Sequence, residues 1–141
     1  MKSNIDRLKV EDTISKAEKI TSGEIRVHID RKCKGDVMDR AASVFSTLNM
    51  HKTEARNGVL IYLSTENRKF AIIGDGGINE KVPDGFWQST YDSALPYLKK
   101  GEWTEALCRA VDKCGEVLRD YFPYEEGDVN ELDDGISWGD E

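Results

Sequence analysis

The feature that most constrains the fold is a pair of short apolar runs separated by four residues. The runs are VLIYLS, at 59–64, and KFAIIGD, at 69–75, with TENR between them. Neither run alternates regularly between apolar and polar residues, which is typical of strands covered on both faces. Since so short a connection joins antiparallel neighbours, the sequence predicts a buried β-hairpin with helices on either side.

A further strand precedes the hairpin and shows the opposite pattern. Residues 24–30, EIRVHID, alternate between polar and apolar side chains, which predicts a strand with one polar face near the edge of the sheet. Apolar residues at helical spacing predict four helices. These lie at 4–21, after Asp36, after Asp84 and at 102–121. Asp36 is expected to cap the second helix, and Pro96 to bend or end the third.

The order of these elements indicates the fold class. Helices that precede, separate and follow buried strands predict an α/β fold, a three-layer α/β/α sandwich with a small mixed sheet. The right-handed crossover between the first two strands makes them parallel. A chain of 141 residues suits a single domain. We expect this domain at residues 1–123 and an acidic tail packed on it at 124–141.

Charge and hydropathy exclude several classes of partner. The net charge of −7 repels nucleic acid and anionic membranes, so neither is an expected partner. No apolar run is long enough for a transmembrane helix, and the N-terminal MKSNIDRLKVED lacks the apolar stretch of a signal peptide. We therefore expect a cytoplasmic protein. The cysteines have no metal-ligand spacing and are expected to be free thiols. They are Cys33, Cys108 and Cys114.

The predicted topology brings three polar segments to one edge of the sheet. Glu24 begins the first strand, Arg56 precedes the second and Asp75 ends the third. Because the third strand runs antiparallel, its end lies beside the starts of the other two. The C-termini of the first two helices point to the same edge and carry partial negative charge, which favours a cation there. A phosphate would depend on Arg56 and on the backbone amides of Gly76 and Gly77.

Asp75 stands among glycines, between Gly74 and the pair Gly76-Gly77. The stretch is not a dinucleotide fingerprint, because Asn79 occupies the third glycine position and the preceding strand belongs to a hairpin. The simplest interpretation is a tight turn in which the glycines adopt positive φ angles. Asp75 is then either a turn residue or part of a site at the sheet edge.

The tail supplies more carboxylates in the stretch DVNELDDG. It is not an EF-hand loop, because Leu132 stands where an oxygen ligand is required. Acidic runs of this kind are usually solvated. Apolar residues among the acidic ones can instead anchor the segment to the domain. These residues are Leu132, Ile136 and Trp138.

The sequence lacks the common catalytic motifs. There is no Gly-x-Ser-x-Gly elbow, and Cys33 is followed by Asp39 at the position where a cysteine phosphatase has arginine. His28 and His51 have no partner spacing and are expected to be surface or hydrogen-bonded histidines. Hydrolysis of a phosphate ester would therefore require a metal-activated water.

Three stretches of the sequence resemble the TPM domain family. They are TSGEIRVHI, HKTEARNGVLIYLSTENRKFAIIGDGGINEKV and YFPYEEGDVNELDDGIS. The family includes thylakoid-lumen proteins of photosystem II repair and membrane-anchored receptor modulators. The resemblance implies an α/β/α sandwich, divalent-cation binding, often of calcium, and an acid phosphatase activity in some members.

The resemblance also implies a set of ligands. The acidic positions of the family correspond to Asp75, Glu131, Asp133 and Asp134, and Glu24 matches as well. These side chains offer only hard oxygen atoms, which favours Ca²⁺, or alternatively Mg²⁺. Arg56 would then be a counterion that orients the carboxylates.

Three functions remain open from the sequence. The first is a non-enzymatic domain that binds a divalent cation at the sheet edge in a regulatory or structural role. The second is a metal-assisted phosphatase that acts on phosphate monoesters, in which Arg56 contacts the phosphate. The third is a protein-interaction module whose surface includes Trp87, Trp103 and the tail, although both tryptophans lie on predicted core stripes.

Overall fold

The computed structural model describes residues 5–124 and 135–139. The helices are α1 (Arg7–Glu18), α2 (Val37–Thr47), α3 (Gly76–Asn79), α4 (Phe86–Lys99) and α5 (Trp103–Tyr121). The strands are β1 (Glu24–Asp30), β2 (Gly58–Ser64), β3 (Lys69–Gly74) and β4 (Ser137–Trp138). A short 3₁₀ helix, Met50–Lys52, lies between α2 and β2.

The strands form one mixed sheet in the order β3-β2-β1-β4. The pair β1 and β2 is parallel and the pair β2 and β3 is antiparallel, so the predicted crossover and hairpin are confirmed. The strand β4 pairs in parallel with the end of β1. The prediction that β1 lies near an edge of the sheet is confirmed, since β4, with two residues, is the only described strand beyond it. That strand comes from a segment without any periodic pattern in the C-terminal part of the chain.

Apolar side chains fill both sides of the sheet. One cluster joins the apolar face of β1, which includes Ile25 and Val27, to α1, α4 and α5. A second cluster packs Val44 and Phe45 of α2 against Leu60 and Tyr62 of β2. Every residue of β2 is buried, as the unbroken apolar pattern indicates. The three-layer α/β/α sandwich is confirmed.

The four predicted helices correspond to α1, α2, α4 and α5, although α1 is shorter than the predicted range 4–21. The Asp36 side chain caps α2 by accepting a hydrogen bond from the Met38 amide at 2.7 Å. Pro96 lies inside α4 and does not end it. Burial of Ala94 and Leu98 on either side of Pro96 holds the last turn in place despite the missing N–H donor.

Of the helices in the described part of the chain, α5 is the longest, with 19 residues, and it buries one face along its whole length. The three cysteines are free and buried. Across residues 5–124 and 135–139, no helix combines the length and the apolar character needed to cross a membrane.

Candidate functional site

Glu24 and Asp75 lie at the same edge of the sheet, the one where β1 and β2 start and β3 ends. Glu24 is paired with Gly58 across β1 and β2, and the Asp75 amide donates to the Gly58 carbonyl at 2.9 Å. The two acidic residues therefore flank one residue of β2, about 10 Å apart across two strand spacings. Glu24 is 1% exposed and Asp75 is 7% exposed, so both carboxylates are buried at this edge.

The Asp75 carboxylate accepts three hydrogen bonds from described residues. Arg56 donates Nε to Oδ2 at 2.7 Å and Nη2 to Oδ1 at 2.8 Å, and the Gly76 amide donates to Oδ1 at 2.8 Å. Burial alone would raise the pKa of Asp75, but the bonds from Arg56 and Gly76 prevail and lower it. The carboxylate is therefore ionised and fixed in orientation.

The glycines after Asp75 serve a purpose other than the predicted one. Asp75 is the N-cap of α3, and neither Gly76 nor Gly77 has a positive φ angle. A Cβ atom on Gly77 would overlap the Ala55 carbonyl oxygen and lie 2.6 Å from that of Arg56. The prediction of positive φ angles is wrong, because the second glycine is required by the close approach of the backbone that carries Arg56.

Arg56 itself is held in an uncommon backbone conformation. Its φ angle is 54°, in the left-handed region, which costs a non-glycine residue about 1–2 kcal/mol. Its side chain is 56% exposed, although it contacts the buried Asp75. The guanidinium therefore bridges the buried carboxylate and solvent.

The described residues contain part of the predicted ligand set. Among them, no three histidine, cysteine or acidic side chains lie close enough to hold a metal ion. The tail candidates Glu131, Asp133 and Asp134 lie outside the described residues. A carboxylate has about four lone-pair sites, and Asp75 uses three of them. Counting the contacts from residues 5–124 and 135–139, one site on Asp75 thus remains for a cation, whose other ligands must come from elsewhere.

A second polar cluster, which sequence reasoning missed, occupies the opposite edge of the sheet, where β1 and β2 end. We call it the Asp30 cluster. Its members come from β1, β2, α2 and β4, and all lie on the side of the sheet that α2 covers. They are His28, Asp30, Tyr62, Arg40 and Ser137.

Asp30 is the centre of this cluster. Its carboxylate accepts from Arg40 Nε at 2.8 Å, from Arg40 Nη2 at 3.2 Å and from the Tyr62 hydroxyl. Burial acts to raise the pKa of Asp30, but bonds from Arg40, Tyr62 and His28 lower it to about 2. Asp30 is therefore a buried anion whose charge is balanced by one guanidinium.

His28 links Asp30 to the last strand. Its Nε2 lies 2.9 Å from Asp30 Oδ1 and its Nδ1 lies 2.9 Å from Ser137 Oγ. The ring stacks on Tyr62 with centroids 5.8 Å apart. Burial lowers the pKa of His28, although Asp30 opposes this shift. The interpretation of His28 as a hydrogen-bonded histidine agrees with these contacts.

Only one signal in the sequence pointed to this cluster. The alternating polar positions of β1 place His28 and Asp30 on one face of the strand, but the pattern alone suggests a solvated face. This face of β1 is buried because α2 covers it and because Ser137, which is 109 residues away from His28 in the chain, contacts His28. No local pattern encodes that contact.

Comparison with known proteins places the chain in a family. The family model of the TPM domain matches residues 3–117, most of the chain. The chain belongs to the TPM domain family. The resemblance inferred from the sequence is thereby confirmed, and it accounts for the α/β/α arrangement of this TPM domain.

Solved structures with a similar fold include two bacterial proteins. The BA42 protein of the psychrophilic bacterium Bizionia argentinensis, solved by NMR, is 40% identical with a TM-score of 0.89, and the match covers 99% of this chain and 98% of that one. The N-terminal domain of the cg2496 protein of Corynebacterium glutamicum is 15% identical with a TM-score of 0.55, and the match covers 77% of this chain and 66% of that one. The second likeness shows the fold alone. A comparison with curated proteins finds no match.

Proposed function

We propose that this TPM domain binds a divalent cation, Ca²⁺ or alternatively Mg²⁺, at the sheet edge that carries Asp75 and Glu24. Further ligands come from Glu131, Asp133 and Asp134 of the tail. The role of the site is regulatory or structural. The observation that carries the proposal is the Asp75 carboxylate, which is buried, ionised and fixed by Arg56 at the edge of the sheet.

Charge and ligand chemistry support a hard cation. The proposed set contains five carboxylates against the single guanidinium of Arg56, so a net negative charge remains after the ion pair forms. Oxygen ligands without histidine or cysteine suit Ca²⁺ and Mg²⁺. The Arg56 pair would keep Asp75 in position while the cation uses its remaining lone-pair site.

Thermal unfolding with CaCl₂ or MgCl₂ tests the proposal. A cation that binds only the folded state stabilises it by about 2.7 kcal/mol at 100 times the Kd, which raises the Tm by several degrees. Asp75→Asn should abolish this shift, whereas Asp120→Asn, at an exposed residue near the end of α5, should retain it. Absence of a shift at millimolar concentrations of both ions would overturn the proposal.

The tail is tested separately by substitution, because deletion would also remove β4. A triple variant with Glu131→Gln, Asp133→Asn and Asp134→Asn should lose most of the Tm shift. A control with Glu125→Gln and Glu126→Gln removes charge from the same segment and should keep the shift. Equal affinity in the triple variant and the wild type would exclude the tail as a source of ligands.

A metal-assisted phosphatase is the alternative, and the exposed half of the Arg56 side chain favours it. A guanidinium anchored by Asp75 retains donors for a phosphate oxygen. Hydrolysis of 4-nitrophenyl phosphate that is lost with EDTA and in Arg56→Lys would support this activity. The interaction module gains no such support, since Trp103 is buried and Trp87 packs against the core.

A further inference from the structure

Ser137, His28 and Asp30 form a continuous chain of hydrogen bonds. Because Asp30 is ionised and can only accept, the proton between Asp30 and His28 lies on His28 Nε2. In the neutral imidazole, Nδ1 is then an acceptor, and the partner at 2.9 Å is the hydroxyl of Ser137. A serine hydroxyl bonded to a neutral histidine that a carboxylate orients is the arrangement of nucleophilic serine sites.

The histidine nitrogens have exchanged roles relative to the familiar serine hydrolases. Here Nδ1 contacts the serine and Nε2 contacts the carboxylate. Either nitrogen of a neutral imidazole can carry the proton while the other accepts. The exchange therefore preserves the chemistry and changes only the direction from which the serine approaches.

The surrounding residues hold these three side chains in place. Tyr62 stacks on the His28 ring and donates its hydroxyl to Asp30. A Cβ atom on Gly139 would overlap Asp30 Oδ1 and lie 3.3 Å from His28 Nε2. The Gly139 amide donates to the Ile29 carbonyl at 2.8 Å, which fixes the backbone directly after Ser137. Pre-organisation of this kind lowers the cost of positioning in a reaction.

A cavity of about 240 Å³ opens beside the serine. The lining residues include His28, Arg40, Thr47, Ser137 and Trp138. The volume lies below the usual range for drug-sized ligands, so it suits a small acyl group. Arg40 has five N–H donors, and its two bonds to Asp30 leave donors for an oxyanion.

We propose that Ser137 and His28 are catalytic residues of a second site that hydrolyses small carboxylic esters, with Asp30 as a positioning residue and Arg40 as the donor to the oxyanion. This site lies at the opposite edge of the sheet from Asp75 and does not depend on a cation there.

The reaction balances without any co-reactant except water. Ser137 Oγ forms a bond to the ester carbonyl carbon while its proton passes to His28 Nδ1. The bond to the alkoxy oxygen breaks, and that oxygen takes the proton from Nδ1 and leaves as an alcohol. Water then attacks the acyl-serine, its proton passes through Nδ1 to Ser137 Oγ, and a carboxylic acid leaves.

The test is covalent labelling with a small alkyl fluorophosphonate, followed by peptide mass spectrometry. We expect one adduct per chain, on Ser137, that is absent in Ser137→Ala and retained in Ser43→Ala, where an exposed serine of α2 is removed. His28→Gln should slow labelling by at least about 100-fold, the usual contribution of a general base. No adduct on Ser137, or labelling that does not depend on His28, would overturn the proposal.

The pH dependence of labelling tests the wild type without relying on a variant that folds. The groups that face His28 are Asp30, Arg26, Arg40 and Tyr62, together with the hydroxyl of Ser137. The labelling rate should rise as His28 loses its proton, with a midpoint below 6.5, since burial lowers that pKa. A rate that rises only above pH 8 would contradict His28 as the base.

Ester turnover gives the final readout. Hydrolysis of 4-nitrophenyl acetate by the wild type should exceed that by Ser137→Ala. Asp30→Asn should lower both the rate and the midpoint of its pH profile, because loss of the carboxylate disfavours the imidazolium. Identical hydrolysis by the wild type and Ser137→Ala would overturn the proposal, even if Ca²⁺ binding at Asp75 is intact.

Discussion

Gly76 and Gly77 are adjacent, but only Gly77 lies close to the backbone at Ala55 and Arg56. Replacing each by alanine should therefore have different effects on stability. A Cβ atom on Gly77 would overlap the Ala55 carbonyl oxygen and lie 3.0 Å from the Arg56 carbonyl carbon. A Cβ atom on Gly76 would meet nothing within 4 Å. Both residues belong to the same short helix, α3. Gly77→Ala and Gly76→Ala therefore differ mainly in the steric overlap.

The size of the effect follows from the atoms involved. Backbone atoms cannot rotate away as a flexible side chain can, so the overlap must displace the segment at Ala55 and Arg56. Overpacking of this kind costs about 1–3 kcal/mol. The gain from replacing a helical glycine by alanine is roughly 0.5–1 kcal/mol and is common to both variants. The difference in unfolding free energy between them should thus be about 1–3 kcal/mol.

Urea unfolding followed by tryptophan fluorescence measures this difference. Gly77→Ala should unfold at a lower urea concentration than the wild type, and Gly76→Ala at an equal or higher one, with unchanged m-values. NMR titration of Gly77→Ala should also show a raised pKa of Asp75, because the displaced Arg56 no longer lowers it. Equal midpoints for the two variants would refute the steric argument.

Two further predictions concern the other edge of the sheet. The pKa of Asp30 is lowered to about 2 from 3.8. Its ionisation therefore contributes roughly 2 kcal/mol of stability that is present above pH 4 and lost as the pH falls through about 2. Acid unfolding should be less steep in Asp30→Asn in this window, and an unchanged pH dependence would contradict the ion pair. Gly139→Ala should detach β4 from β1, because the added Cβ atom overlaps Asp30. Proteolytic cleavage near 137–139 should then accelerate at least about tenfold. A cleavage rate equal to that of the wild type would contradict this detachment.

Much of the fold could be predicted because burial sets the spacing of apolar residues along the strands and helices. The predicted runs 24–30, 59–64 and 69–75 correspond closely to β1, β2 and β3. The unbroken apolar pattern of β2 reflects a strand covered on both faces, whereas β1 alternates although its polar face is also buried. The co-location of Glu24 and Asp75 follows from the parallel pairing of β1 with β2 and the antiparallel pairing of β2 with β3.

The remaining elements depend on distant contacts. The helix α3 has four residues and begins with two glycines, so its sequence indicates a turn, and it forms because Asp75 caps it. The strand β4 has two residues, too few to show any alternation. Its place is set by backbone pairing with β1 and by the bond from Ser137 to His28. The Asp30 cluster was missed for the same reason, since its members come from four separate elements.

The pairing of β4 with β1 has a consequence during translation. His28 and Ser137 are 109 residues apart, and at a synthesis rate of about 5–20 residues per second the ribosome needs roughly 5–20 s to make the chain between them. Throughout that time β1 has an uncovered edge that can pair with a foreign strand. Neighbouring nascent chains on one polysome present the same open edge at the same moment, so the spacing of ribosomes on the message influences how much of this protein aggregates before it is complete.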